Sequence, residues 1–180
     1  MAATESQMLE LGTSAPEFSL PDPDGKKHSL ADGADAYVVM FICNHCPFVK
    51  HICEELARIG RDYGKRKVAI YAINSNDIER YPADGPVEMK REAETHSYTF
   101  PYLLDEDQSV AKAYRAACTP DFFVFDESRR LVYRGQLDDS RPSNDKPVNG
   151  QDLRAALDAI LAGSAVDEHQ VPSIGCNIKW

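Results

Sequence analysis

Two stretches of this chain are apolar at every position, Tyr37–Ile42 and Val68–Ile73. Continuous apolar runs of that length are the pattern of strands buried on both faces of a sheet. Between them, residues 47–64 set Val49, Ile52, Cys53, Leu56, Ile59 and Tyr63 at helical spacing, with Lys50, His51, Glu54, Glu55, Arg58 and Asp62 on the other side. This spacing predicts an amphipathic helix of about five turns. Strand, helix and strand in that order predict a right-handed parallel crossover.

Weaker patterns flank this unit. Ala15–Leu20 and Lys26–Leu30, separated by Pro21-Asp-Pro-Asp-Gly25, predict a short hairpin. Helices are predicted at 86–97 and at 109–117, the second with Val110, Ala113, Tyr114 and Ala117 on one face. Phe122–Phe125 and Leu131–Arg134 predict adjacent strands joined by the turn 126–130. Residues 151–162 predict a last helix with Leu153, Leu157, Ile160 and Leu161 as its buried stripe, and 138–150 predict an exposed loop. The segment 171–180 carries Ile174, Ile178 and Trp180 and is expected to dock on the domain. With no internal repeat and no dividing linker, the expectation is one α/β domain over 1–180, its core at about 12–163 and its tail at 164–180.

Composition narrows the partners. The 180 residues are 43% hydrophobic and 27% charged, with a net charge of −9. A chain so composed buries a core, and its acidic balance argues against nucleic acid. The one dense basic cluster, Lys65-Arg66-Lys67, lies past a predicted helix end and complements the helix dipole there. Nothing reads as a leader, and no stretch reaches the ~18 apolar residues of a membrane span. The expectation is a soluble cytoplasmic protein without membrane contact.

The five cysteines are sparse and odd in number. In a reducing compartment, Cys43-Asn44-His45-Cys46 reads as a redox or metal motif rather than a structural one. It stands where a strand meets a helix starting at Pro47, so the helix N-terminus favours thiolate, the form that attacks disulfides and peroxides. By position Cys43 is the more exposed, attacking thiol, and Cys46 opens the helix and closes the disulfide. The bland alternative is two core cysteines. Asn44, His45 and Pro47 are candidate tuning residues, His45 through an imidazolium or as a loop histidine with no role. Cys118 and Cys176 are candidate third, resolving thiols, Cys118 otherwise a buried spectator. Cys53 belongs to the apolar helix stripe as inert core, and His51 reads as a solvated helix histidine. His51 and Cys53 point about 200° apart on a helix, which argues against a shared metal.

Ala15–Leu20, Phe41–Val49, Ala72–Asn76, Cys118-Thr-Pro-Asp121, Tyr133-Arg-Gly135 and Pro172–Trp180 together resemble the peroxiredoxin-like redoxins of the AhpC/TSA superfamily. The resemblance implies a thioredoxin-like fold: a central mixed sheet flanked by helices, here with an extra N-terminal hairpin and a docked C-terminal tail. It implies that Thr119-Pro120 is a cis-proline turn facing the dithiol, with the Thr119 backbone binding an extended substrate segment. Two departures stand out. Thioredoxins carry a buried acid where Tyr37 stands. Peroxiredoxins have a threonine three residues before, and a proline seven before, the position of Cys46, where this chain has Cys43 and Val39.

The leading expectation is a thiol–disulfide oxidoreductase in redox homeostasis or antioxidant defence, acting on a protein or small-molecule disulfide and reset by a thiol reductant system, without cofactor or metal. A thiol peroxidase with Cys46 as the peroxide-attacking thiol is the alternative, and a copper or zinc carrier the alternative of another class. Oligomeric state is not legible in the sequence.

Overall fold

The run near residue 40 forms the middle of a five-stranded sheet in the computed structural model, which describes residues 3–180. In chain order the elements are β1 (Ala3–Glu5), β2 (Leu20–Pro21), β3 (Lys27–His28), β4 (Ala36–Phe41), α1 (Pro47–Tyr63), β5 (Val68–Asn74), a 3-10 turn (Pro82–Asp84) and α2 (Pro86–Thr95). They continue with β6 (Tyr102–Leu104), α3 (Ser109–Tyr114), β7 (Cys118–Thr119), β8 (Asp121–Asp126), β9 (Leu131–Gly135), α4 (Gln151–Leu161) and β10 (Ile174–Asn177).

The main sheet runs β6-β5-β4-β8-β9. β4 pairs parallel with β5 and antiparallel with β8, so the sheet is mixed. Being central, β4 is buried on both faces, which is why its sequence lacks alternation. Val38, Met40 and Ile42 face a core built with α1, α2 and α4. Tyr37, Val39 and Phe41 face the other layer, built from α3 and the N-terminal segment. Pro47 sits in the first turn of α1, where its missing N–H costs no intrahelical bond.

Three short strands form a second sheet, in the order β1-β10-β7. Two- to four-residue strands carry too little periodicity to be seen in a sequence, and none of these was expected as a strand. The tail does dock, as the central strand β10, with Ile178 buried. Trp180 departs from the expectation: it is half-exposed and lies against the Lys112 ammonium.

The loop 138–150 also departs from the expected exposure. Asp138, Ser140 and Gly150 are buried. The Asp138 carboxylate turns inward and accepts hydrogen bonds from the backbone N–H groups of Ser140 (2.9 Å), Asn149 (2.8 Å) and Gly150 (2.7 Å). Polar residues here satisfy the chain's own donors at the start of α4 rather than water.

Asp121, the first residue of β8, is fully buried opposite Phe41. Its Oδ2 accepts the Ala117 N–H (3.3 Å) and its Oδ1 has no partner among the described residues. Burial raises this carboxyl from 3.8 to about 8, against weaker backbone hydrogen bonds that lower it. The folded state therefore holds the Asp121 proton longer than the unfolded chain does. The associated stability is full below the unfolded value and drains as pH rises toward the folded one. Asp121→Asn should remove that slope, so its stability advantage over the native chain grows by about 1 kcal/mol per pH unit between pH 6 and 8. Urea unfolding of the two reduced proteins at both pH values checks this, and a constant difference would contradict it.

Candidate active site

β4 delivers Cys43 and Cys46 to the N-terminus of α1, with Cys46 as the residue before its first turn. No acidic residue occupies the first turn of α1, so nothing there offsets the positive end of the dipole. All five cysteines are free and buried.

Both thiols are buried, Cys43 at 2% exposure the more exposed of the two and Cys46 at 0%. The segment that holds the Asn44-His45 turn comes from across the chain. Asp84, in the 3-10 turn and itself fully buried, accepts hydrogen bonds from the backbone N–H groups of Asn44 (2.8 Å) and His45 (3.3 Å). Its Oδ2 also takes the His45 Nδ1–H (2.6 Å) and an N–H of the Asn76 side chain (2.9 Å). Asn44 is held from both sides, donating to the Ala83 carbonyl (2.9 Å) and accepting from the Tyr102 hydroxyl (2.9 Å). The His45 ring stacks on Tyr81, and its Nε2 is shielded without a partner among the described residues. Asn44 and His45 thus position the turn through Asp84, a residue the sequence reading missed. Asp84 lies in a segment with no periodicity. The available signal was Asn74 and Asn76, two polar residues closing an apolar strand, which grip the Asp84 carbonyl (2.7 Å) and carboxylate.

The Thr119–Pro120 bond is cis. Thr119 meets both sulfurs: its Oγ1 is 3.4 Å from Cys43 Sγ, and its carbonyl accepts from the Cys46 thiol at 3.2 Å. One edge of β7 is taken by the chain's own β10, with Cys176 opposite Thr119. Cys118 is buried at the flank, its thiol raised by burial and by the nearby Asp121 charge. Cys53 donates to the Lys50 carbonyl (3.2 Å) and is core. His51 is half-buried rather than solvated, because it packs beside Phe48, Arg141 and Pro142.

The two sulfurs do not ionise alike. Cys46 is held below the usual thiol range, chiefly by the neighbouring Cys43 thiol, with Cys176, Thr119 and the Val49 N–H adding to it against burial. Cys43 is raised by its Cys46 neighbour, by burial and by the Asp84 charge. In the dithiol, Cys46 donates to the Thr119 carbonyl. When the pair loses a proton, it leaves from Cys46, because the resulting thiolate collects donors that Cys43 lacks. A metal would find a donor set in Cys43, His45 and Asp84, whose ligand atoms lie within 4.8 Å of one another. The Asp84 oxygens, though, are already engaged by four donors, which a metal would have to displace.

The AhpC/TSA family model matches residues 11–134. Thiol-disulfide oxidoreductase ResA of Geobacillus thermodenitrificans is 27% identical over 71% of this chain and 70% of that protein. A crystal structure of an uncharacterized conserved protein from Geobacillus kaustophilus is 57% identical with a TM-score of 0.98, covering 100% of this chain and 97% of that one. The thioredoxin domain of a thiol-disulfide oxidoreductase from Bacteroides vulgatus is 16% identical with a TM-score of 0.61, covering 81% of this chain and 97% of that one. This last likeness establishes the thioredoxin-like fold.

Proposed function

The chain belongs to the AhpC/TSA family, and from that premise we propose that it is a thiol–disulfide oxidoreductase working through Cys43 and Cys46. The observation that carries this reading is the pair itself: two sulfurs at a helix N-terminus, both held against Thr119, Cys43 at its Oγ1 and Cys46 at its carbonyl. The name of the ResA relative supports the same activity.

The site's electrostatics reverse the roles expected from position. Cys46 thiolate attacks one sulfur of a substrate disulfide, and the other substrate sulfur leaves as a thiolate. Cys43 then attacks the Cys46 sulfur, the mixed disulfide breaks, and the second substrate thiolate leaves, taking up the Cys43 proton. The enzyme ends oxidised by two electrons and the substrate reduced by two. An external thiol system resets the pair. A peroxidase reading is not favoured: the position three before Cys46 holds a thiol, not a threonine hydroxyl.

Oxidised glutathione added to the reduced protein tests the proposal. The expected product is an intramolecular Cys43–Cys46 disulfide, seen as joint loss of alkylation at both residues. The rate of the first attack should stay flat between pH 6 and 8, since Cys46 is ionised throughout. An ordinary thiol would speed up about a hundredfold over that interval. Absence of the disulfide, or a rate that climbs with pH, would sink this reading.

A further inference from the structure

Cys46 has two thiols in its buried surroundings, not one. β10 lies between β1 and β7, and in its antiparallel register Cys176 stands opposite Thr119. Thr119 is also the residue whose carbonyl accepts from Cys46. The approach of β10 to this point is as close as backbone allows: a Cβ on Gly175 would lie 1.9 Å from the Thr119 carbonyl oxygen. Cys176 shares one buried cluster with Cys43 and Cys46, and Cys46 and Cys176 lie close enough to bias each other's ionisation. Cys176 is 4% exposed.

We propose that Cys176 is a third redox thiol, and that the disulfide made between Cys43 and Cys46 passes on to Cys46 and Cys176. The inference rests on the oxidoreductase reading above and adds a second station to it. Cys176 gives up its thiol proton and attacks the Cys46 sulfur. The Cys46–Cys176 bond forms as the Cys43–Cys46 bond breaks, and Cys43 leaves as a thiolate that takes up the proton released by Cys176. Cys43 is reduced, Cys176 is oxidised, and no external electrons enter. Cys46, the sulfur attacked, is the member common to both disulfides. Burial and the neighbouring Cys46 charge hold the Cys176 thiol up, to about 12. Cys176 is therefore a poor nucleophile while Cys46 is a thiolate, and it is freed to react once Cys46 is oxidised and that charge is gone.

The test uses the full chain carrying Cys43→Ser, oxidised with diamide, alkylated and peptide-mapped. Joint loss of alkylation at Cys46 and Cys176, with the Cys46–Cys176 peptide recovered, is the expected result. Both residues remaining alkylable in a protein whose circular dichroism is native, or Cys46 pairing with Cys118 instead, would overturn the proposal. Should Cys43→Ser not fold, the wild-type chain under partial oxidation and acid quench decides the matter. The Cys46–Cys176 peptide should appear there beside the Cys43–Cys46 peptide, and its absence counts against the relay. Cys176→Ser separates the two ideas. Loss of the Cys43–Cys46 disulfide in that variant would strike at the oxidoreductase reading itself, whereas its retention together with no Cys46–Cys176 bond elsewhere removes only the third thiol.

Discussion

Replacing Cys46 by serine should lower the rate of disulfide reduction by about a thousandfold or more, because a hydroxyl in that place does not ionise and offers no comparable nucleophile. The effect is the largest expected of any single change. The neighbouring Cys43, Cys176 and Thr119 side chains hold the Cys46 thiol below the usual thiol range. Cys43→Ser should behave differently. The serine hydroxyl keeps a donor toward Cys46, so first attack persists, but nothing resolves the mixed disulfide at Cys46, which accumulates. Stopped-flow reaction with a chromogenic disulfide, followed by intact mass, distinguishes the two variants. If the trapped adduct instead forms on Cys43 in the Cys46→Ser protein, the roles are those expected from position alone, and the electrostatic argument from Asp84 is wrong.

Gly175→Ala should cost about 3 kcal/mol of stability. The reason is contact rather than backbone conformation. The added Cβ would meet the Thr119 carbonyl oxygen at 1.9 Å, its carbon at 2.5 Å and the Pro120 nitrogen at 3.0 Å. All three are backbone atoms, so no side chain can turn aside, and β10 must separate from β7. The separation exposes Cys176 and, beneath it, Cys46. A shift of that size corresponds to about a hundredfold faster alkylation of both. Thermal unfolding and timed alkylation of the reduced variant measure the two effects. Wild-type stability with unchanged alkylation would mean that the tail does not hold its observed register.

Most of the main sheet was legible in the sequence because its signals are local and repeated. β4 and β5 are unbroken apolar runs, and α1 shows a continuous helical stripe from Val49 to Tyr63. The observed bounds differ from the expected ones by only a residue or two there. β1, β7 and β10 were not expected as strands, since segments of two to four residues carry no readable period and take their form from the partner they pair with. The docking of the tail followed from Ile178, but its place in a sheet did not. Asp138 and Asp121 were misjudged or missed for one reason: a carboxylate in a sequence reads as solvent-facing, and only the surrounding fold turns it inward.

Residue order alone determined that two thiols stand two positions apart where a strand hands over to a helix, because spacing and helix start are properties of neighbouring residues. Which of those thiols ionises was decided by the folded chain. Asp84 reaches Asn44 across 40 residues, Thr119 reaches Cys46 across 73, and Cys176 arrives on a strand from the far end. Charge and hydrogen bonding act through space over a few ångströms, so the chemistry of the pair belongs to the neighbours that folding brings to it and not to those beside it in the chain.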